Sequence, residues 1–110
     1  MALFTVHKKA PTVDPVIAEC IKRRRLQLLV HSCIYYELNE SIISDSTFDK
    51  WSVELLELQT KYPKVAEQVC WHQAFKDWDA STGAFLPIRD SWVLSKAAQL
   101  LKMVGRNVKI

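Results

Sequence analysis

Two tandem tyrosines, Tyr35-Tyr36, and two aspartates one helical turn apart, Asp45 and Asp49, are the residues of this sequence best suited to chemistry with a small ligand. An aromatic face attracts a cation through its quadrupole. Carboxylates accept hydrogen bonds from hydroxyls and amides, and they favour positive charge nearby. Each residue also has a structural explanation. Adjacent tyrosines on a helix serve as half-buried packing groups. Asp45 stands in Ser44-Asp45-Ser46-Thr47, where a helix cap is expected. Asp49 lies beyond the cap and is a poor helix former, so capping accounts for it less well. His31 precedes Tyr35 by one turn on the same face, placed to reach a ligand phosphate or to pack against the body. As a carboxylate pair, Asp45 and Asp49 invite an acid–base reading, but no residue identifies itself as nucleophile or general acid.

Other clusters carry less. Lys22-Arg23-Arg24-Arg25 is a dense basic run. Four adjacent positions span a full turn and cannot all face one ligand, so a solvated face is expected, with Arg23 and Arg24 open to an acidic partner. Cys70-Trp71-His72 has no companion at metal-ligand spacing and reads as helix surface and core, so no metal is expected. Trp78 and Trp92 flank the Ser81-Thr82-Gly83 loop. Core packing is their first reading, and an exposed hot spot for a protein partner is the second.

The elements that must position these groups are helical. Asp14-Pro15 starts a helix that runs to about Leu38, with Ile17, Ile21, Leu28, Tyr35 and Leu38 on one apolar face. Asn39-Glu40-Ser41 is a polar break. A second helix carries Phe48, Trp51, Leu55, Leu58 and Tyr62 in steps of three and four. Pro63 closes it or opens the next helix, which covers about 64–78 with Val65, Val69, Phe75 and Trp78. Residues 79–83 form a loop in which Gly83 permits positive φ. Asp90 caps a last helix with Val93, Ala97, Leu100 and Val104 on one face, and Gly105 sits where a C-terminal glycine belongs. Phe85-Leu86 is too short to predict a strand. The expected fold is therefore all-α: about four helices in one domain, residues 14–110. Residues 1–13 precede it as an arm whose Phe4 and Val6 could pack against the body.

Composition sets the outer limits. With 110 residues, 49% hydrophobic and 25% charged, the chain can bury a core without staples. A net charge of +3 is too mild to argue nucleic-acid binding. Cys20, Cys33 and Cys70 are odd in number and widely spaced, which fits a reducing cytosol better than a disulfide framework. No apolar run approaches the roughly 20 residues of a membrane span, and residues 1–10 lack a signal peptide's apolar stretch.

Residues 31–63 resemble the opening helical hairpin of NAD-dependent DNA ligases, their N-terminal domain Ia. The resemblance is carried by five features in family order and without a gap. These are Tyr35-Tyr36, Ile43-Ser44-Asp45, Phe48-Asp49, the run Glu54-Leu55-Leu56-Glu57-Leu58, and Tyr62-Pro63. It implies recognition of the nicotinamide mononucleotide half of NAD. Tyr35 and Tyr36 would stack against or edge the nicotinamide and ribose. Asp45 and Asp49 would accept from ribose hydroxyls or the carboxamide, and Phe48 would form an aromatic wall. His31 joins this set by its place one turn before Tyr35. Phe48 stands where the family usually has tyrosine, which removes one hydroxyl, worth about 1 kcal/mol if it touched ligand. After Pro63 the likeness to ligases ends. There is no Lys-x-Asp-Gly motif to carry AMP, and residues 75–92 look like an elaboration similar to stand-alone ligase-module proteins of phages and prophages.

The expected function is a non-catalytic binding module for NAD or nicotinamide mononucleotide in the bacterial cytoplasm, with phage origin implied by the same resemblance. The alternative is a phage-type interaction factor that inhibits or redirects a host enzyme or defence complex, since a fold readily takes new tasks. Direct nucleic-acid or membrane binding is not expected.

Overall fold

Asp14 opens the first helix, as its Oδ1 accepts from the backbone N–H groups of Val16 at 2.9 Å and Ile17 at 3.4 Å. The computed structural model describes residues 14–105, so the arm of residues 1–13, with Phe4 and Val6, and the last five residues of the expected domain lie outside the described part. Helix α1 spans Pro15–Ser32, with proline in its first turn. It is the hub of the fold, packing against every longer helix. Ile21, Leu28 and Leu29 on it are completely buried.

The chain stays helical beyond Ser32 but widens into a π turn, Cys33–Glu37. Its closing bond runs from the Leu38 N–H to the Cys33 carbonyl at 3.1 Å. A wider turn changes the angular step between successive side chains, and such turns are frequent at functional sites. This corrects the expected apolar face. Cys33 and Ile34 are buried, whereas Tyr35 is 56% exposed and points away from the core.

Helix α2 spans Asp45–Lys61. Its cap is Ser44, whose Oγ accepts from the Thr47 N–H at 3.1 Å. Asp45 is the first helical residue and complements the helix dipole without capping. Leu55 is buried, and Phe48, Trp51, Leu58 and Tyr62 pack half-buried against the core, as the stripe requires.

The single helix expected over 64–78 is instead two short ones, α3 (Pro63–Gln68) and α4 (His72–Phe75). Val69 is extended and Trp71 takes the left-handed conformation, φ 70°. The cause is Arg25, which is fully buried where a solvated face was expected. Its guanidinium donates to the carbonyls of Ala66 at 3.2 Å, Val69 at 3.0 Å and Cys70 at 3.0 Å, and to Gln59 Oε1 at 2.8 Å. Arginine's planar fork thus supplies donors to carbonyls where the chain leaves the helix.

Helix α5 spans Ser91–Met103, capped by Asp90 Oδ1, which accepts from Trp92 N–H at 2.9 Å. Val93, Ala97 and Leu101 form its buried face. Val104, expected on that face, is half exposed because it is already the C-cap residue; Leu101 takes its place. Gly105 follows with φ 82°, as a C-terminal glycine should. The described residues thus form five α-helices and a π turn, with no strand among them. All three cysteines are free.

Candidate functional site

The π turn, the segment leading into α2, the first turns of α2 and residues 80–82 surround a cleft of about 320 Å³. His31, Tyr35, Tyr36, Asp45, Phe48 and Asp49, the six residues marked in the sequence, all line it. Tyr35 and Tyr36 meet edge to face, with ring centroids 4.9 Å apart and planes at 89°. Both rings are well exposed, and Phe48 is half-buried behind them. Asp45 and Asp49 are exposed, and neither carboxylate has a hydrogen-bond or ion-pair partner among the described residues.

His31 takes the packing role that the sequence offered beside a phosphate contact. Its ring lies 5.4 Å from that of Trp51, and burial pushes its pKa below the ordinary value of 6.5. It is neutral at neutral pH and offers no charge to a phosphate there. The sign of the resulting pH effect follows. Between the lowered folded value and 6.5 the unfolded chain binds more protons, so stability is retained above this window and declines as pH falls through it. The urea midpoint should therefore drop between about pH 7 and pH 5, and His31→Gln should remove part of the drop. A variant with an unchanged pH profile would show that His31 is not held neutral by the fold.

The sequence did not reveal the far wall of the cleft. Residues 80–82 supply it, and three contacts fix them. The Trp78 indole N–H donates to the Thr82 carbonyl at 2.9 Å. The hydroxyls of Tyr36 and Thr82 are 3.0 Å apart. Gly83 lies flat against α1 and α2: a Cβ there would collide with the Ser32 hydroxyl and press on Phe48 at 3.3 Å. Gly83 is thus required for close approach, not for positive φ; Ala80 is the residue with positive φ, 69°. Beneath the loop, Ser32 is fully buried, lines the cleft and has no partner for its Oγ. Asp79 Oδ1 closes the loop's start by accepting from the Ser81 N–H at 3.0 Å, and its bonds to Ser81 hold its pKa below the ordinary value.

Of the residues considered for protein contacts, Arg23 and Arg24 share one groove, whereas Trp78 and Trp92 lie apart from it and from each other. Trp78 is half-buried, edge-on to Phe75 at 5.3 Å, and supports the loop. Arg24 is engaged with Glu54 at 3.2 Å and Gln27 at 2.6 Å, and lies over Trp51. Arg23 is exposed beside Cys20 and Lys61 in a groove between α1 and α2. Trp92 is exposed elsewhere, on α5, against Trp71 and Lys96. Among the described residues no group of three or more His, Cys, Asp or Glu could hold a metal ion. No helix among them is long and apolar enough to cross a membrane.

The fold and cleft define a small all-α domain in which a helical hairpin presents paired aromatics and free carboxylates at one end. Residues 15–68 match the family described as DNA ligase-like, N-terminal NAD+-binding domain, and over that segment the chain is similar to it. The match runs from the first residue of α1 to the last of α3, so the loop of residues 80–82 and α5 lie outside it. Comparison with curated proteins and with solved structures gives no match.

Proposed function

We propose that the cleft binds the nicotinamide mononucleotide half of NAD, and that the protein acts through recognition and not catalysis. One observation carries the reading: in a segment similar to the NAD+-binding family, two exposed tyrosines and two partnerless carboxylates share one cleft. A positively charged nicotinamide ring suits the tyrosine faces. Ribose hydroxyls and the carboxamide N–H suit Asp45 and Asp49. The cleft volume, about 320 Å³, is at the small end of ligand pockets, roughly 300–1,000 Å³, which favours a mononucleotide over a whole dinucleotide. Lys-x-Asp-Gly does not occur in the 110 residues, so this chain offers no such lysine for nucleotidyl transfer. A reducing, cytoplasmic setting belongs to the same reading, given three free cysteines.

Titration by NMR tests it. Nicotinamide mononucleotide and NAD should shift resonances of Tyr35, Tyr36, Asp45 and Asp49, with dissociation constants on the order of 0.1–1 mM. AMP should not. The absence of shifts at about 5–10 mM nucleotide would end the ligand reading.

A second reading, protein binding through α5, is favoured by a shallow apolar groove. Leu26, Val30, Trp92, Leu100 and Met103 line it, with Met103 80% exposed.

A further inference from the structure

We propose that the loop of residues 79–84 is the second half of the nucleotide site, and that Thr82 is its positioning residue, holding the Tyr36 ring in the orientation on which the ligand stacks. The inference rests on the nucleotide reading of the cleft and adds to it residues that lie outside the family segment.

Five observations support it. Tyr36 is 42% exposed and belongs to a short π turn, and the ring it meets edge to face, Tyr35, is itself 56% exposed. Its only hydrogen-bond partner among the described residues is the Thr82 hydroxyl, at 3.0 Å. Thr82 is itself fixed: its Oγ1 accepts from the Ala84 N–H at 3.0 Å and its carbonyl accepts from Trp78. With that acceptor site filled, the Thr82 hydroxyl still has a proton to give to the tyrosine oxygen and a lone pair to take one. Finally, the loop holds Ala80 in the left-handed region and presses Gly83 onto Ser32 and Phe48. The left-handed Ala80 is backbone strain, which persists where the surroundings over-determine a conformation and clusters at ligand clamps. The fully buried, partnerless Ser32 hydroxyl beneath the loop leaves one polar atom of the cleft floor unsatisfied. An unsatisfied polar atom is a cost in a pure packing contact, and this one lies under Gly83 of the loop, closed to solvent.

A preorganised ring binds more tightly than one that must be ordered by the ligand. Thr82→Val and Tyr36→Phe should therefore each weaken nicotinamide mononucleotide binding about three- to tenfold, as loss of one hydrogen bond does. The double variant should lose no more than either single one, because both remove the same bond. Thr82→Ser keeps the hydroxyl and should bind like the parent protein. Thermal melting separates binding from folding. If Thr82→Val melts early through its lost bond to Ala84, Tyr36→Phe still decides the question, since it leaves the loop's own bonds intact. Parent-like binding by both single variants, with Asp49→Asn still weak, would overturn the loop's role and leave the cleft reading standing. Losses that add in the double variant would overturn it too, showing that the two residues act separately. Failure of the parent protein to bind the mononucleotide at all would remove the cleft reading and this proposal together.

Discussion

Replacing Arg25 by alanine is expected to unfold the domain or leave it close to unfolding. The guanidinium has no carboxylate partner among the described residues; its hydrogen bonds go to Gln59 and to three backbone carbonyls, and its face lies over the Phe75 ring, 5.7 Å from the centroid. Burial pushes its pKa down to about 10, with nearby Cys70 opposing the shift, so it remains charged at neutral pH. Alanine would remove the donor from the buried Val69 carbonyl and weaken the satisfaction of Ala66, Cys70 and Gln59, at about 1–3 kcal/mol for a buried group left unpaired, with a cavity in addition. A loss of about 4 kcal/mol or more is expected, against a total stability of roughly 5–15 kcal/mol for a domain of this size. Arg25→Met is the sharper test. Buried ion pairs can often be exchanged for apolar groups when both partners are replaced. Here the partners are main-chain carbonyls, which no side-chain substitution removes. Methionine should refill the volume and still forfeit most of the stability. A urea midpoint for Arg25→Met within error of the parent protein would show that the arginine is tolerated in the core and not required there.

The same residue marks where sequence reasoning stopped. Helix starts were legible because capping is local: Asp14 and Asp90 cap as expected, and Gly105 ends the last helix as expected. The stripe of α2 was legible because its spacing is set by the helix itself. Arg25 was not, since its acceptors stand 34 to 45 residues further on and nothing in a basic run says which member turns inward. The break between α3 and α4 was hidden for the same reason. Within the site, family order identified five lining residues and helical spacing from Tyr35 added His31, all on or beside the hairpin. Thr82 and Gly83 follow no period, and their roles depend on contacts with Tyr36, Ser32 and Phe48 that only the folded chain creates.

Asp49→Asn should weaken nicotinamide mononucleotide binding about tenfold while leaving the fold intact, a combination that distinguishes a ligand group from a structural one. Ser44 already caps α2, and Asp49 lies a turn further in with no partner among the described residues. Its removal should therefore change stability by no more than about 0.5 kcal/mol, as for an exposed surface position. Binding is another matter. A hydrogen bond to a charged acceptor is worth about 1.5–3 kcal/mol, against about 1 kcal/mol for a neutral one, and asparagine keeps the shape while giving up the charge. The carboxylate also attracts the positive charge of the oxidised nicotinamide ring, at a distance where surface electrostatics still count. The reduced mononucleotide, whose ring is uncharged, keeps the hydroxyls and loses that attraction. Asp49→Asn should consequently penalise the oxidised ligand more than the reduced one, narrowing the parent protein's preference between them. An equal penalty for both would assign Asp49 to hydroxyl or amide recognition alone. No penalty for either would remove Asp49 from the site and leave recognition to the tyrosines and Asp45.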